Sequence, residues 1–289
     1  MDNQRPARQT VRACIATLWL ALLIPCPAAA QPTPRPDATA VYEVVLRDGS
    51  RLLGTIESDE ADVLTIRTAG GVTVTVPRRQ IASLREQNGV TANGEFLPPD
   101  PNATRLFFGP TGRALGRGKT YLGVYEFLMP FVQVGVTDRL SIGGGTPLIF
   151  GLDDWDRPFW VTPKLQIVNG AGTQAAVGVF HVFDRRGNGG GIGYLVATHG
   201  GARGSFTAGA GVNYGFEGGR SGVVMIGGER RVRRNLALVS ESYVWGRHGI
   251  ATGGVRLIGD RLSADLALGV PIGTTSAVAF PVVNFVYAF

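Results

Sequence analysis

The sequence has very few cysteines and histidines, and this excludes several kinds of chemistry. Its two cysteines, Cys14 and Cys26, lie within the first thirty residues. If that segment is removed on secretion, the mature chain has no thiol for a disulfide bond, a nucleophile or a Cys-ligated metal. The three histidines, His181, His199 and His248, are too dispersed for a shared metal site, since His199 and His248 are expected at opposite ends of the fold. We therefore expect neither a metal nor a cofactor.

Long apolar runs and a high density of charge are also absent. No segment reaches the ~20 apolar residues that a membrane-spanning helix needs. Charged residues make up 17% of the chain, and glycine is abundant at 42 residues. Because helices disfavour glycine, this composition favours an all-β fold. The net charge of +6 is mild and is not concentrated in one stripe, so we expect no nucleic-acid partner.

The first thirty residues have the features of a secretory signal peptide. Three arginines are followed by an apolar core at 13–24 and by the small residues Ala28 to Ala30. The apolar core is too short for a membrane anchor, so we predict that residues 1–30 are removed. Residues 31–40 are rich in proline and predict a stiff linker.

Residues 41–87 predict a small all-β domain of about five short strands. Asp48-Gly49 is a hairpin signal between two apolar segments. The pattern L-R-D-G-S-R-L-L-G-T-I resembles the SH3-like and Sm-like small β-barrels. In Sm proteins such a fold can bind RNA, but this unit has no clear basic and aromatic stripe. We expect an interaction module that contacts either a periplasmic protein or peptidoglycan.

After a second predicted linker at 88–117, the chain alternates apolar and polar residues in segments that are long enough to cross a bilayer as tilted strands. The alternation predicts about twelve strands and therefore an antiparallel β-barrel over 118–289. The predicted strands are 118–127, 130–137, 139–149, 159–168, 173–183, 190–198, 204–215, 221–230, 235–246, 249–258, 262–271 and 277–289.

The final segment, 278–289, alternates over its whole length and places Phe285, Tyr287 and Phe289 on one face. This ending resembles the terminal strand of bacterial outer-membrane β-barrels, which finish in Phe. The resemblance implies outer-membrane lipid around the barrel and an insertion machinery that recognises these three aromatic residues. It also implies a periplasmic location for the chain terminus and for the small domain.

Five charged residues fall on or close to the polar face of the predicted strands. They are Lys164, Glu229, Glu241, Arg256 and Asp265. A charge that faces lipid at mid-depth costs roughly 2–4 kcal/mol for Arg or Lys, so we expect all five to point into the lumen. They form either a salt-bridge network that fills a narrow lumen or a charged path for small solutes. We expect Glu241 and Arg256 to lie within reach of each other.

These patterns favour a non-enzymatic outer-membrane barrel, either a narrow pore or a structural barrel, with a periplasmic interaction module. One alternative is an outer-membrane enzyme that acts on lipid or envelope material. Its site would combine His181 or His248 with Ser221, Glu217 or Ser276, although no motif fixes their spacing. A second alternative is a soluble periplasmic β protein.

Overall fold

The computed structural model describes residues 40–92, 94–148, 158–183, 189–215, 221–274 and 278–289. The predicted signal peptide and residues 31–39 of the first linker lie outside these ranges. The described residues belong to one compact unit. None of the helical structure in the described ranges is long and apolar enough to cross a bilayer.

The described chain is built almost entirely of β-strands, with one short 3-10 turn at Arg78–Gln80. The strands are β1 Val41–Leu46, β2 Arg51–Asp59, β3 Val63–Thr68, β4 Thr73–Pro77, β5 Ile81–Gln87, β6 Val90–Ala92, β7 Glu95–Leu97, β8 Thr120–Tyr125, β9 Met129–Gly135, β10 Leu140–Gly145, β11 Phe159–Asn169, β12 Thr173–Phe183, β13 Gly189–Gly201, β14 Gly204–Tyr214, β15 Gly222–Arg233, β16 Leu236–Trp245, β17 His248–Ile258, β18 Leu262–Ile272 and β19 Phe280–Ala288.

The first five strands form a separate small sheet in the order β4-β3-β2-β1-β5. Its alternating apolar residues make a core of their own around Val44, Leu64 and Ile66, none of which is exposed. The predicted Asp48-Gly49 turn is present, and the backbone N–H of Ser50 donates to Asp48 Oδ1 at 2.8 Å. Residues 41–87 therefore form a compact β unit.

The remaining long strands close into one barrel, which confirms the prediction of about twelve strands. Each strand from β8 to β19 pairs antiparallel with its neighbours in sequence, and β19 pairs with β8 to close the wall. Strand β8 is shorter than predicted because Glu126 and Phe127 adopt positive φ angles of 49° and 59° and turn the chain early. The Glu126 N–H then bonds the Val283 carbonyl of β19 at 2.9 Å.

The outer surface of the barrel is apolar, and the inner surface carries the polar residues. Leu266 and Leu268 on β18 are 61% and 60% exposed, whereas Asp265, which directly precedes Leu266 in the strand, is 3% exposed. The same alternation holds on β14, where Phe206 is exposed and Thr207 is buried. An apolar belt of this kind is what a transmembrane barrel presents to lipid.

The segment between the small sheet and the barrel differs from the predicted linker at 88–117. Strands β6 and β7 form a short hairpin, and residues 98–117, here called the plug, enter the barrel and fill part of its lumen. Leu106 and Phe107 are fully buried there against Ala237 and Val239 of the wall. The linker prediction rested on Pro, Asn and Gly content, but these apolar side chains are removed from water only inside the barrel.

Candidate functional site

The plug enters at the end of the barrel where β15 and β19 finish, here called the entry end. Arg203 donates to the Ala92 carbonyl at 2.8 Å and pairs with Glu95 at 2.9 Å. Arg231 donates to the Pro98 carbonyl at 2.8 Å. The arginines at this end therefore fix the β6–β7 hairpin and the start of the plug.

Arg256 is the most buried charge of the lumen, with no exposed surface. Its Nε atom lies 2.6 Å from Asp265 Oδ1 on the adjacent strand, and its Nη1 atom lies 2.9 Å from Asp100 Oδ2 of the plug. It also donates to the carbonyls of Arg105 and Leu106. One guanidinium thus joins the wall to the plug through two carboxylates and two peptide groups.

Glu241 binds the backbone of the plug instead of a basic side chain. Its Oε2 atom accepts from the N–H groups of Phe107, Phe108 and Gly109 at 2.8, 3.1 and 3.1 Å. Successive peptide N–H groups that converge in this way form an anion-binding nest. Glu241 is 1% exposed, so these bonds replace the water that it has lost.

Lys164 makes the complementary contact with plug carbonyls. Its Nζ atom donates to Thr104, Thr111 and Arg113 carbonyl oxygens at 3.0, 3.2 and 2.8 Å. An ammonium group has three donors, so all of them are used. Glu229 completes the set by pairing with Arg113 and accepting from Ser205.

All five sequence-predicted lumen charges therefore lie inside the barrel, but the expected contact between Glu241 and Arg256 is wrong. Glu241 lies opposite Thr252 in the register, and Arg256 lies opposite Ala237. Leu106 and Phe107 of the plug pack on the inward residues between the two charges and separate them. Strand register shows which residues of the wall are neighbours, but it does not show which segment of the chain fills the lumen.

Sequence reasoning missed the plug residues that meet these charges. Asp100, Arg105 and Arg113 are the charged side chains of the plug that contact the wall. The sequence did contain a signal for the plug, namely the apolar run Leu106 to Phe108 with these three charged residues on either side of it. A linker exposed to solvent rarely contains such an apolar run.

Glycine on the inner wall lets the plug backbone approach closely. A Cβ atom at Gly135 would overlap the Gly116 carbonyl of the plug, whereas one at Gly253 on the outer face would meet open space. We expect Gly135→Ala to lower the free energy of unfolding by about 1–3 kcal/mol through overpacking. Gly253→Ala is the matched control, and denaturant unfolding of both variants measures the difference. Equal stability of the two would contradict the close packing of plug and wall.

The residues of the enzyme alternative do not assemble in the described parts of the chain. His181 Nδ1 lies 2.8 Å from the Tyr214 hydroxyl, and His248 lies opposite Trp245 at the start of β17. The Ser221 N–H donates to the Asn213 side chain, while Glu217 and Ser276 lie outside the described residues. Within these ranges no three His, Cys, Asp or Glu side chains group as metal ligands.

The three aromatic residues of the predicted insertion signal lie on the outer face of the last strand. Phe285, Tyr287 and Phe289 are 37%, 40% and 71% exposed. The rings of Tyr287 and Phe289 contact edge to face, with centroids 5.2 Å apart. Their recognition by an insertion machinery remains a prediction.

No protein-family model matches the sequence, and a search of curated proteins gives no match. Among solved structures, the KdgM porin in complex with disordered oligogalacturonate has a TM-score of 0.45 and 6% identity, covering 59% of this chain and 98% of its own. The NanC porin has a TM-score of 0.39 and 8% identity, covering 59% and 97%. OmpT with loop L8 deleted, an outer membrane protein of Vibrio cholerae, has a TM-score of 0.36 and 11% identity, covering 87% and 97%. Similarities this low say nothing about what this chain binds or transports.

Proposed function

We propose that this chain is a non-enzymatic outer-membrane β-barrel whose lumen is closed to free diffusion by its own plug. The observation that carries the proposal is the set of buried contacts from Lys164, Glu241 and Arg256 to the plug backbone. The apolar outer belt and the aromatic last strand support the outer membrane as its location. Such a barrel is a narrow, gated pore or a structural barrel, and not an open channel.

The small sheet at 41–87 serves, in this proposal, as a periplasmic interaction module that contacts a periplasmic protein or peptidoglycan. Its separate core and its covalent connection to the plug support this role. A partner bound to the module would be connected to the plug through the chain segment that follows β5 and includes the β6–β7 hairpin. Because this connection is short, binding of a partner to the module could change the position of the plug.

Conductance of the protein in planar lipid bilayers tests the proposal. We expect the parent protein, purified from the outer-membrane fraction, to pass little steady current. Replacing residues 102–113 with a Gly-Ser segment of equal length removes the plug side chains and is expected to open a larger and steadier channel. Deleting residues 41–87 is the control, because it leaves the plug in place and should keep the current low.

Three outcomes would contradict the proposal. Recovery of the parent protein in the soluble periplasmic fraction would contradict the membrane location. A large steady current through the parent would show that the plug does not close the lumen. A folded Gly-Ser variant that stays as closed as the parent would show that another part of the chain closes it.

A further inference from the structure

A cavity of about 370 Å³ lies in the lumen between the plug and the far end of the barrel, opposite the entry end. Its walls are aromatic and aliphatic, and they include Trp160, Phe180 and Val223. The plug forms the floor with Phe108 and Arg105. A concave apolar site with very few polar groups is the usual form of a site for a small apolar ligand.

Arg105 is the charged residue in the described lining of this cavity, and its charge has no acidic partner among the described residues. Its side chain donates to the Tyr121 hydroxyl at 3.3 Å, the Phe108 carbonyl at 3.2 Å and the Gln133 side chain at 3.0 Å. A guanidinium has five N–H donors, so these three bonds leave two donors over. Lys164, the other lumen cation without a carboxylate, has all its donors filled by carbonyls.

We propose that this cavity binds a single-chain amphiphile with an anionic head, such as a free fatty acid, and that Arg105 takes the carboxylate. The apolar walls remove the chain from water. The free donors of Arg105 supply charge-assisted hydrogen bonds to the head. The volume is at the low end of ligand sites, which favours one chain over the two of a phospholipid. The inference rests on the plugged barrel proposed above, because the plug provides both the floor and Arg105.

Quenching of Trp160 fluorescence tests the proposal in the full-length protein. The probes are ω-bromododecanoate and ω-bromododecanol, added in mildly alkaline buffer that keeps the acid ionised. We expect the acid to quench at about tenfold lower concentration than the alcohol, because one or two charged hydrogen bonds distinguish them. The part of the signal that comes from the cavity is the part that Trp160→Phe removes.

Two pairs of variants separate the apolar wall from the anion site. Val223→Phe fills the cavity and should abolish binding of both probes, whereas Val224→Phe places the same ring on the outer face and should leave binding unchanged. Arg105→Met should weaken binding of the acid at least tenfold and spare the alcohol, and Arg105→Lys should restore part of the preference. Heat-modifiable migration confirms that each variant is folded. If Arg105→Met does not fold, the proposal is still tested by two other measurements. These are the comparison of Val223→Phe with Val224→Phe and the preference of the parent for the acid over the alcohol.

Several results would overturn the assignment. Equal binding of acid and alcohol by the parent would show that Arg105 does not bind the carboxylate. Unchanged quenching in Val223→Phe would show that the probes bind outside the cavity. Stronger quenching by phosphatidylglycerol with brominated acyl chains would point to a membrane phospholipid instead. The quenching experiment does not depend on the conductance measurement. A parent protein that conducts freely but still prefers the acid would therefore contradict the closed lumen and support the ligand site.

Discussion

Replacing Arg256 with glutamine is expected to lower the free energy of unfolding by about 3–5 kcal/mol, the usual effect of breaking a buried ion pair from one side. The guanidinium lies between Asp265 of the wall and Asp100 of the plug, and the substitution leaves both carboxylates buried without their cation. Denaturant unfolding in lipid vesicles, followed by tryptophan fluorescence, measures the loss. Arg261→Gln, in an exposed turn beside the same strand, is the matched control and should change little.

The double variant Arg256→Gln/Asp265→Asn distinguishes an ion pair from simple loss of packing. If the pair acts as a unit, the double variant should be less destabilised than the sum of the two single variants. Strict additivity would mean that the two residues stabilise the barrel independently. An Arg256→Gln protein as stable as the parent would show that the contacts of Arg256 with Asp265 and Asp100 do not stabilise the barrel.

Replacing Glu241 with glutamine is expected to release the tip of the plug. Both carboxylate oxygens accept from the plug backbone, Oε2 from Phe107 and Oε1 from Phe108 and Gly109. In glutamine one of these oxygens becomes an NH2 group, which is a donor and cannot accept from the N–H groups that face it. Leaving one or two of these N–H groups without an acceptor costs roughly 1–3 kcal/mol for each. On this basis we expect Glu241→Gln to lower the free energy of unfolding by about 2–4 kcal/mol in total.

Hydrogen exchange locates this effect more sharply than unfolding does. The amides of residues 107–109 should exchange faster in Glu241→Gln than in the parent, while amides at the centre of the small sheet keep their rates. Asp260→Asn, the same acid-to-amide change in an exposed turn, is the control. Unchanged exchange at residues 107–109 would show that Glu241 does not hold the plug.

The barrel could be predicted from sequence because its signal is local and repeated. Strands such as Gly204–Tyr214 and Leu262–Ile272 combine a spanning length with an alternation of apolar residues with polar residues or glycine, and this alternation predicts which side chains face inward. The inward position of Lys164 and Asp265 followed from the same pattern. The early turn at Glu126 and Phe127 was missed because neither residue type favours positive φ.

The plug and the partners of the lumen charges could not be derived in the same way. They depend on contacts between residues far apart in sequence, such as the 163 positions from Asn102 to Asp265. Strand register predicts which wall residues are neighbours, as for Arg256 and Asp265. It contains no information about a segment that crosses the lumen, so Glu241 was assigned to a wall partner when its ligands are plug amides.

The internal position of the plug also determines how the molecule can assemble. Its bonds reach from Tyr121 on the first barrel strand to Asn284 on the last, so no half-built wall satisfies them. A partly closed sheet would hold Arg256, Glu241 and Lys164 against lipid or water without their partners. Wall closure and plug seating should therefore occur as a single cooperative event, and the pairing of β19 with β8 is the step that encloses the plug.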